Sequence, residues 1–463
     1  MAMLGKRRRG RPASGTSGLR QRDPAPGRDI SAADDSLVIE RLAHDGRGVA
    51  HRANGKAVFV DRALPGERLM AAVHRQRKRY DEAHVRELLE ASPRRVAPAC
   101  PHFGQCGGCD LQHLDQAGQR QHKLAVLGEH LAREGLTLPA DPAVLAAHGH
   151  GYRRRARLGV KVDAQGAIHL GFRTKGSHHL LDIEQCTILV PRLAALLAPL
   201  HRQLAALEAP RHVGHIELID SDAGATLVVR QLREQAGDRV RWQAFADGQG
   251  VSLAWWLGRD EAQLEWLSPA PDLHYCVTAD GRSLTFGFAP GDFVQVNATV
   301  NQQLIDTALA WLAPDAAARI LDLYAGVGNL SLALAGRGGE VLGVEGNPAM
   351  VERLAANARR NDLVNVEARQ ADLAQPAAVR EVLAWAPSLV LLDPPREGAE
   401  AACTQLAASA VPQVLYIACD PATLARDAAR LVQGGYRIRR AAVADMFAQT
   451  AHLEAMLLFE RGG

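Results

Sequence analysis

Arg319-Ile320-Leu321-Asp322-Leu323-Tyr324-Ala325-Gly326-Val327-Gly328-Asn329 is an apolar strand run that breaks into a glycine-bearing turn, followed from Leu330 to Leu334 by a helical stretch. Strand, glycine turn and helix in that order open a nucleotide-binding α/β unit. A Gly-x-Gly alone also fits nicotinamide and flavin sites and plain turns, so the weight rests on the strands downstream of it. Glu340-Val341-Leu342-Gly343-Val344-Glu345 ends a second strand in an acid placed to accept hydrogen bonds from both ribose hydroxyls of an adenosine. A third strand, Val366 to Ala371, ends at Asp372, where a side chain or backbone group meets an adenine. A fourth, Leu389 to Leu392, ends in Asp393-Pro394-Pro395-Arg396, and a fifth, Gln413 to Ala418, ends at Cys419. The strand ends at Tyr324, Glu345, Asp372, Asp393 and Cys419 alternate with helical stretches, so a parallel sheet gathers them along one carboxyl edge. The expected fold class over residues 286–463 is therefore α/β and Rossmann-like.

Cys419 falls where strand meets helix start, with Pro421 suited to the first helical turn. Such a place is expected to stabilise a thiolate through the unpaired N–H groups and dipole of the helix N-terminus. Downstream, His452-Leu453-Glu454-Ala455-Met456-Leu457-Leu458-Phe459 is a further apolar run with one acid, Glu454, near its start.

The segments 322–329, Asp393-Pro394-Pro395-Arg396, Ala418-Cys419-Asp420-Pro421 and His452-Leu453-Glu454 together resemble the RNA uracil-C5 methyltransferases that use S-adenosylmethionine. Phe288-Ala289-Pro290-Gly291-Asp292-Phe293-Val294-Gln295-Val296-Asn297 resembles that family's signature ahead of the catalytic domain, so the likeness covers roughly 285–460. The resemblance implies a Rossmann-like methyltransferase domain with Cys419 as nucleophile and Glu454 as base. It also implies S-adenosylmethionine contacts at Gln295, Tyr324, Asn329, Glu345, Asp372 and Asp393. Uracil C5 is too poor a nucleophile to take a methyl group until a thiolate adds to C6, and C5 must then lose its proton. Asp393 is open between the cofactor and the uracil edge. Arg396 stands where amine methyltransferases place a stacking aromatic, which favours carbon as the acceptor. Asp420 stands where the family usually has Asn, adding a negative charge beside the thiol.

Seven cysteines occur, at 100, 106, 109, 186, 276, 403 and 419. An odd count argues for a reducing compartment, so the cytoplasm is expected. Cys100, Cys106 and Cys109 form a C-x5-C-x2-C loop rich in glycine, and Cys186 is the best fourth thiolate. Zinc more often takes paired C-x2-C knuckles, so this spacing leans towards an iron–sulfur cluster. The cluster-bearing members of the same family match these four positions, which implies a [4Fe-4S] cluster. Such a cluster lies outside the catalytic segment in sequence, so RNA binding is expected to depend on it more than methyl transfer. A radical S-adenosylmethionine enzyme would need C-x3-C-x2-C and barrel-forming repeats, and has neither. Cys276 and Cys403 read as core residues.

The chain has 463 residues, 47% of them hydrophobic, enough for three modest cores. Residues 1–22 hold seven Lys/Arg and no acid, so 1–33 is expected to be a disordered basic tail that tethers phosphate backbone. Over 34–93, short strands punctuated by Gly46, Gly48, Gly55 and Pro65-Gly66 resemble the TRAM domain, an OB-like β-barrel that binds RNA. There Arg75-Gln76-Arg77-Lys78-Arg79-Tyr80 offers charges for phosphates and one ring for a base. Residues 94–285 are expected to form a β-rich middle domain that holds the cluster and grips RNA through Tyr152-Arg153-Arg154-Arg155-Ala156-Arg157. No apolar stretch is long enough for a membrane span, so no membrane partner is expected. A barrel and four cysteines together favour the 23S ribosomal RNA branch of the family over the transfer RNA branch, acting as a monomer. A purely binding assembly factor has no use for both Cys419 and Glu454, and a cytosine-C5 enzyme places its nucleophile in another motif.

Overall fold

The computed structural model describes residues 36–259, 262–337 and 339–462, so the basic tail expected over 1–33 lies outside the described residues. The largest sheet has eight strands: β1 (Ala143–Leu145), β2 (Arg319–Leu323), β3 (Glu340–Glu345), β4 (Val366–Gln370), β5 (Leu389–Leu392), β6 (Gln413–Ala418), β7 (Tyr436–Ala444) and β8 (Glu454–Arg461). Their order is β4-β3-β2-β5-β6-β8-β7-β1. Strands β2 to β6 are mutually parallel, which bears out the carboxyl edge expected from the sequence. All four residues of β5 are buried, as continuous Leu/Val runs must be when both faces of a parallel sheet are covered.

Beyond β6 the chain reverses. Strand β8 pairs antiparallel with β6, with Ala418 opposite Ala455, and β7 pairs antiparallel with β8. Since the register advances one residue at a time, Cys419 and Glu454 face each other just past the last paired residues. Directly opposed residues on antiparallel neighbours project to the same face of a sheet.

The segment assigned by sequence to the middle domain divides. Helix α1 (Gln116–Arg133) buries Val126, Leu127 and Leu131 in the core beneath β6, against Leu424, Ala425 and Ala428 of helix α2 (Pro421–Gln433). Strand β1 extends the catalytic sheet beside β7. A stripe of apolar residues announces an amphipathic helix but not the surface it covers, so the boundary expected at 285 is crossed here. A seven-stranded sheet, from 155 to 266, forms a separate layer with its own core. The hairpin His274–Ala279 and Arg282–Gly287 lies between it and the catalytic core.

At the N-terminal end six strands follow an order whose two outer members, Leu37–Val38 and Arg41–Leu42, belong to one continuous run. The strip therefore curls until its ends meet, making a barrel around Ile39, Ala50, Val58, Val60 and Leu69. Among the described residues no helix is long and apolar enough to cross a membrane.

One buried ion pair ties these parts together. Lys123 of α1 is 0% exposed, and its Nζ donates to Asp445 at 2.6 Å and to the Phe447 carbonyl at 3.0 Å. Asp445 begins the loop that leads from β7 to Glu454. Replacing Lys123 by Met strands that carboxylate in an apolar layer, and urea unfolding should show a loss of about 3–5 kcal/mol. Arg120→Met should cost far less, because Arg120 is partly exposed and 3.7 Å from the same carboxylate. Equal losses would mean that Asp445 does not depend on Lys123.

Candidate active site and the four-cysteine cavity

A cavity of about 1320 Å³ opens along the carboxyl edge, and its wall includes all eight residues expected from the sequence: Gln295, Tyr324, Asn329, Glu345, Asp372, Asp393, Cys419 and Glu454. That volume exceeds what one drug-sized ligand needs and has room for a nucleoside cofactor together with an extruded base.

The glycine turn after β2 begins in strain. Tyr324 has φ +66°, uncommon for a bulky residue, and its N–H donates to the Val344 carbonyl at 2.9 Å. Gly326, at φ +56°, has open space where a Cβ would stand, and its N–H donates to Glu345 at 3.2 Å. Asn347 N–H donates to the other Glu345 oxygen at 3.0 Å, so the carboxylate is aimed into the cavity with lone pairs to spare. Beneath the turn, Ser331 donates to buried Asp322. Burial pushes the Asp322 carboxyl up to about 7.

Asn329 lines the cavity, but its side chain is engaged: it exchanges hydrogen bonds with Asn301 at 3.1 and 2.8 Å and accepts from the Tyr275 hydroxyl at 3.1 Å. Sequence reasoning missed Asn301 and Tyr275, which carry no motif of their own. Asp372 is exposed and accepts from Ala374 N–H at 3.1 Å, capping the next turn. Gln295 is buried, and among the described residues no protein group hydrogen-bonds its amide.

The loop from Asp393 to Gly398 is clamped against α2. Buried Asp427 accepts from Ala399 N–H at 2.8 Å and from the Tyr416 hydroxyl at 2.8 Å. Gly398 has φ +81°, and a Cβ there would stand 2.6 Å from the Asp427 carboxylate and the Arg426 guanidinium. Only glycine fits both the conformation and the approach. The clamp holds Arg396 near Cys419.

Two expectations about Cys419 need correction. Asp420 does not bear on the thiol: its carboxylate is the N-cap of α2, accepting from Ala422 and Thr423 N–H at 3.0 Å each. Nor is the thiol lowered by the helix start. Burial pushes it up, and the Glu454 and Asp393 carboxylates push it further, while Arg396 opposes them. Partial enclosure and two neighbouring acids together set the direction of the thiol.

Glu454 is 4% exposed, and burial raises its carboxyl. Asp393 is raised well above the usual range by burial and then by the charge on Glu454. The two carboxyls therefore titrate as a coupled pair, both held above the ordinary carboxylate range.

Cys100, Cys106, Cys109 and Cys186 line a second cavity of about 270 Å³. Burial and mutual repulsion raise the thiols of Cys106, Cys109 and Cys186, Cys109 to about 12. Among the described residues no three of these sulfurs lie within 4.8 Å of one another. Four thiolates on one zinc, at about 2.3 Å each, would stand only about 3.8 Å apart. This cavity shares Arg396, Phe447 and His452 with the first. Asp110 and Leu111 N–H, just after Cys109, donate to the Gln449 carbonyl at 3.0 Å each. The cysteine loop therefore abuts the catalytic wall, and separation in sequence does not become separation in space.

Other basic residues divide by partner. Arg155 pairs with Glu217 at 2.7 Å, and Arg154 lies over the Tyr275 ring at 5.5 Å, so both serve the interior. In the barrel, Arg77, Lys78 and Arg79 are exposed and form no ion pair among the described residues. Tyr80, expected to stack on a base, packs edge-on against Phe59. Cys403 is buried as expected, but Cys276 is exposed.

Residues 119–462 match the family described as tRNA (Uracil-5-)-methyltransferase. The chain is 58% identical over 469 residues to the "23S rRNA (uracil(1939)-C(5))-methyltransferase RlmD" of Halomonas elongata, covering 99% of this chain and 97% of that one. It is 44% identical over 428 residues to the protein of the same description in Pseudomonas putida, covering 92% and 93%. Its fold is similar to the crystal structure of Pyrococcus abyssi tRNA (uracil-54, C5)-methyltransferase in complex with S-adenosyl-L-homocysteine, with TM-score 0.71, 23% identity, and coverage of 92% and 100%.

The thiol environment is open to direct measurement. Alkylation of the Cys419 peptide by iodoacetamide, followed by mass spectrometry against pH, should show a midpoint above the ordinary thiol value of about 8.5. Arg396→Met should move the midpoint higher and Glu454→Gln lower, since a thiolate gains from the cation and loses to the anion. A midpoint below the ordinary value would restore the helix start as the dominant influence.

Proposed function

The chain belongs to the tRNA (Uracil-5-)-methyltransferase family, and on that premise we propose that it methylates C5 of a uridine in 23S ribosomal RNA, giving 5-methyluridine. The uridine is the one for which the relatives are described, 1939. One observation carries the reading: the register of β6 against β8 opposes Cys419 and Glu454 in the cavity that also holds the six expected cofactor residues.

The residues present fit S-adenosylmethionine. Open space beside Gly326 receives a ligand close to backbone, and the preset Glu345 carboxylate suits a ribose diol. The group supplies an electrophilic methyl on a sulfonium. Everything else falls to side chains. The Cys419 thiolate adds to C6, and the electrons of the C5–C6 double bond move towards O4. Asp393, whose burial favours its protonated form, and the Gln295 amide, which no described residue hydrogen-bonds, are suited to the uracil edge where that charge accumulates. C5 then takes the methyl group. The Glu454 carboxylate removes the C5 proton, C5–C6 is restored, and the Cys419–C6 bond breaks as the thiolate leaves.

The four cysteines fit a [4Fe-4S] cluster better than zinc, because their sulfurs stand further apart than one ion allows and enclose a cavity. Cys100, Cys106, Cys109 and Cys186 would hold it, and its ligation would release the protons that burial otherwise keeps on the thiols. Residues of the barrel from Arg77 to Arg79 are suited to the phosphate backbone. The protein is proposed to work as a monomer in the cytoplasm.

Ribosomal RNA from cells lacking this protein should miss one 5-methyluridine in 23S RNA, restored by the wild type and not by Cys419→Ala. Full restoration by that variant would leave a binding factor as the better reading. Calorimetry with S-adenosylmethionine should show Glu345→Ala weaker by roughly 1–3 kcal/mol. Anaerobically purified Cys186→Ser should lose iron relative to wild type. Because the two cavities share a wall, it should also lose methyl transfer on RNA it still binds.

A further inference from the structure

The hairpin beside the active site carries a second set of ligand-type side chains. Alternate residues of its first strand, His274–Ala279, face opposite ways. Tyr275 turns inward, buried, with its ring 5.2 Å from Phe286 and its hydroxyl on Asn329. His274 and Cys276 turn the other way. They meet Asp222, which lies in the turn between Val213–Ser221 and Gly224–Gln231 of the seven-stranded sheet. Each of the three offers one ligand atom, and these atoms all lie within 4.8 Å of one another.

The surroundings favour coordination. Asp222 N–H donates to the His274 carbonyl at 2.9 Å, which fixes the turn to the strand. His274 Nδ1 stands 2.7 Å from the Asp272 carbonyl, a group that only accepts, so in the neutral ring the proton belongs on Nδ1 and Nε2 is the nitrogen free to coordinate. A backbone carbonyl that fixes the tautomer in this way is the usual companion of a metal-binding imidazole. The Asp272 carboxylate is itself taken by Arg360 at 2.7 and 3.1 Å. Cys276 is exposed, and its sulfur meets the Thr285 hydroxyl at 3.6 Å.

We propose that Asp222, His274 and Cys276 form a site for one divalent cation of the zinc class, separate from the four-cysteine cavity. A carboxylate, an imidazole and a thiolate are the mixed donors that such ions accept, with water as a fourth ligand, whereas magnesium and calcium take oxygen alone. The two anionic ligands neutralise the ion. Bound there, it clips the seven-stranded sheet to the hairpin whose other face presents Tyr275 to the catalytic cavity.

Cobalt(II) is the probe, added anaerobically to the full-length protein with its four-cysteine site loaded. A thiolate-to-cobalt charge-transfer band should grow to one ion per chain, vanish in Cys276→Ala, and need at least about tenfold more cobalt in His274→Ala. Zinc should displace it. Both positions lie outside the core, and a circular-dichroism spectrum of Cys276→Ala matching that of metal-free wild type would certify that the variant is folded. No band, a band indifferent to Cys276→Ala, or one abolished only by Cys186→Ser would overturn the site.

Discussion

The antiparallel pairing of β6 with β8 is the constraint on which the chemistry rests. Five parallel strands deliver a cofactor edge, as in many nucleotide-binding folds, and bring Asp393 beside Cys419, but the parallel strands do not carry Glu454. The reversed strand does so by register. With Ala418 opposite Ala455, the residue after one and the residue before the other must meet. A slip of one residue would turn Glu454 to the other face of the sheet. The ion pair of Lys123 with Asp445, the Gln119–Gln449 hydrogen bonds and the Tyr152 hydroxyl on the Ala448 carbonyl all restrain the loop that sets this register.

Bringing a thiol and two carboxyls together in a half-closed space has an electrostatic consequence. Each anion discourages the others, so the resting site favours protonated Cys419 and a single charge shared by Asp393 and Glu454. Arg396 is the cation among the described residues that most lowers the thiol. It sits on the loop that Asp427 and Gly398 clamp against α2. The same loop faces the four-cysteine cavity, so loss of order there would reach the nucleophile through Arg396, Phe447 and His452.

Much of the catalytic half was legible because its signals are local. Strand-end residues Tyr324, Glu345, Asp372, Asp393 and Cys419 announce themselves by position after short apolar runs, and parallel topology gathers them. What the sequence hid was non-local. The apolar stripe of α1 gives no hint that it packs beneath β6, and three residues of β1 are too few to declare an edge strand. Asp420 carried a charge that looked relevant to the thiol until its role as a helix cap was visible. Cys276 read as core because a lone cysteine usually is one, and only the pleat of its strand sends it outward beside His274. The four cysteines were legible by spacing, whereas their closeness to the catalytic wall depends on the loop around Gln449.

The opposed thiol and carboxylate are best tested by interrupting the reaction between them. Glu454→Gln protein, mixed with unsubstituted 23S RNA fragment and S-adenosylmethionine, should accumulate a covalent protein–RNA species that survives denaturation. Its mass should include the added methyl group, and peptide mapping should place the linkage on Cys419. Free 5-methyluridine released at the wild-type rate with no such species would show that another group takes the C5 proton.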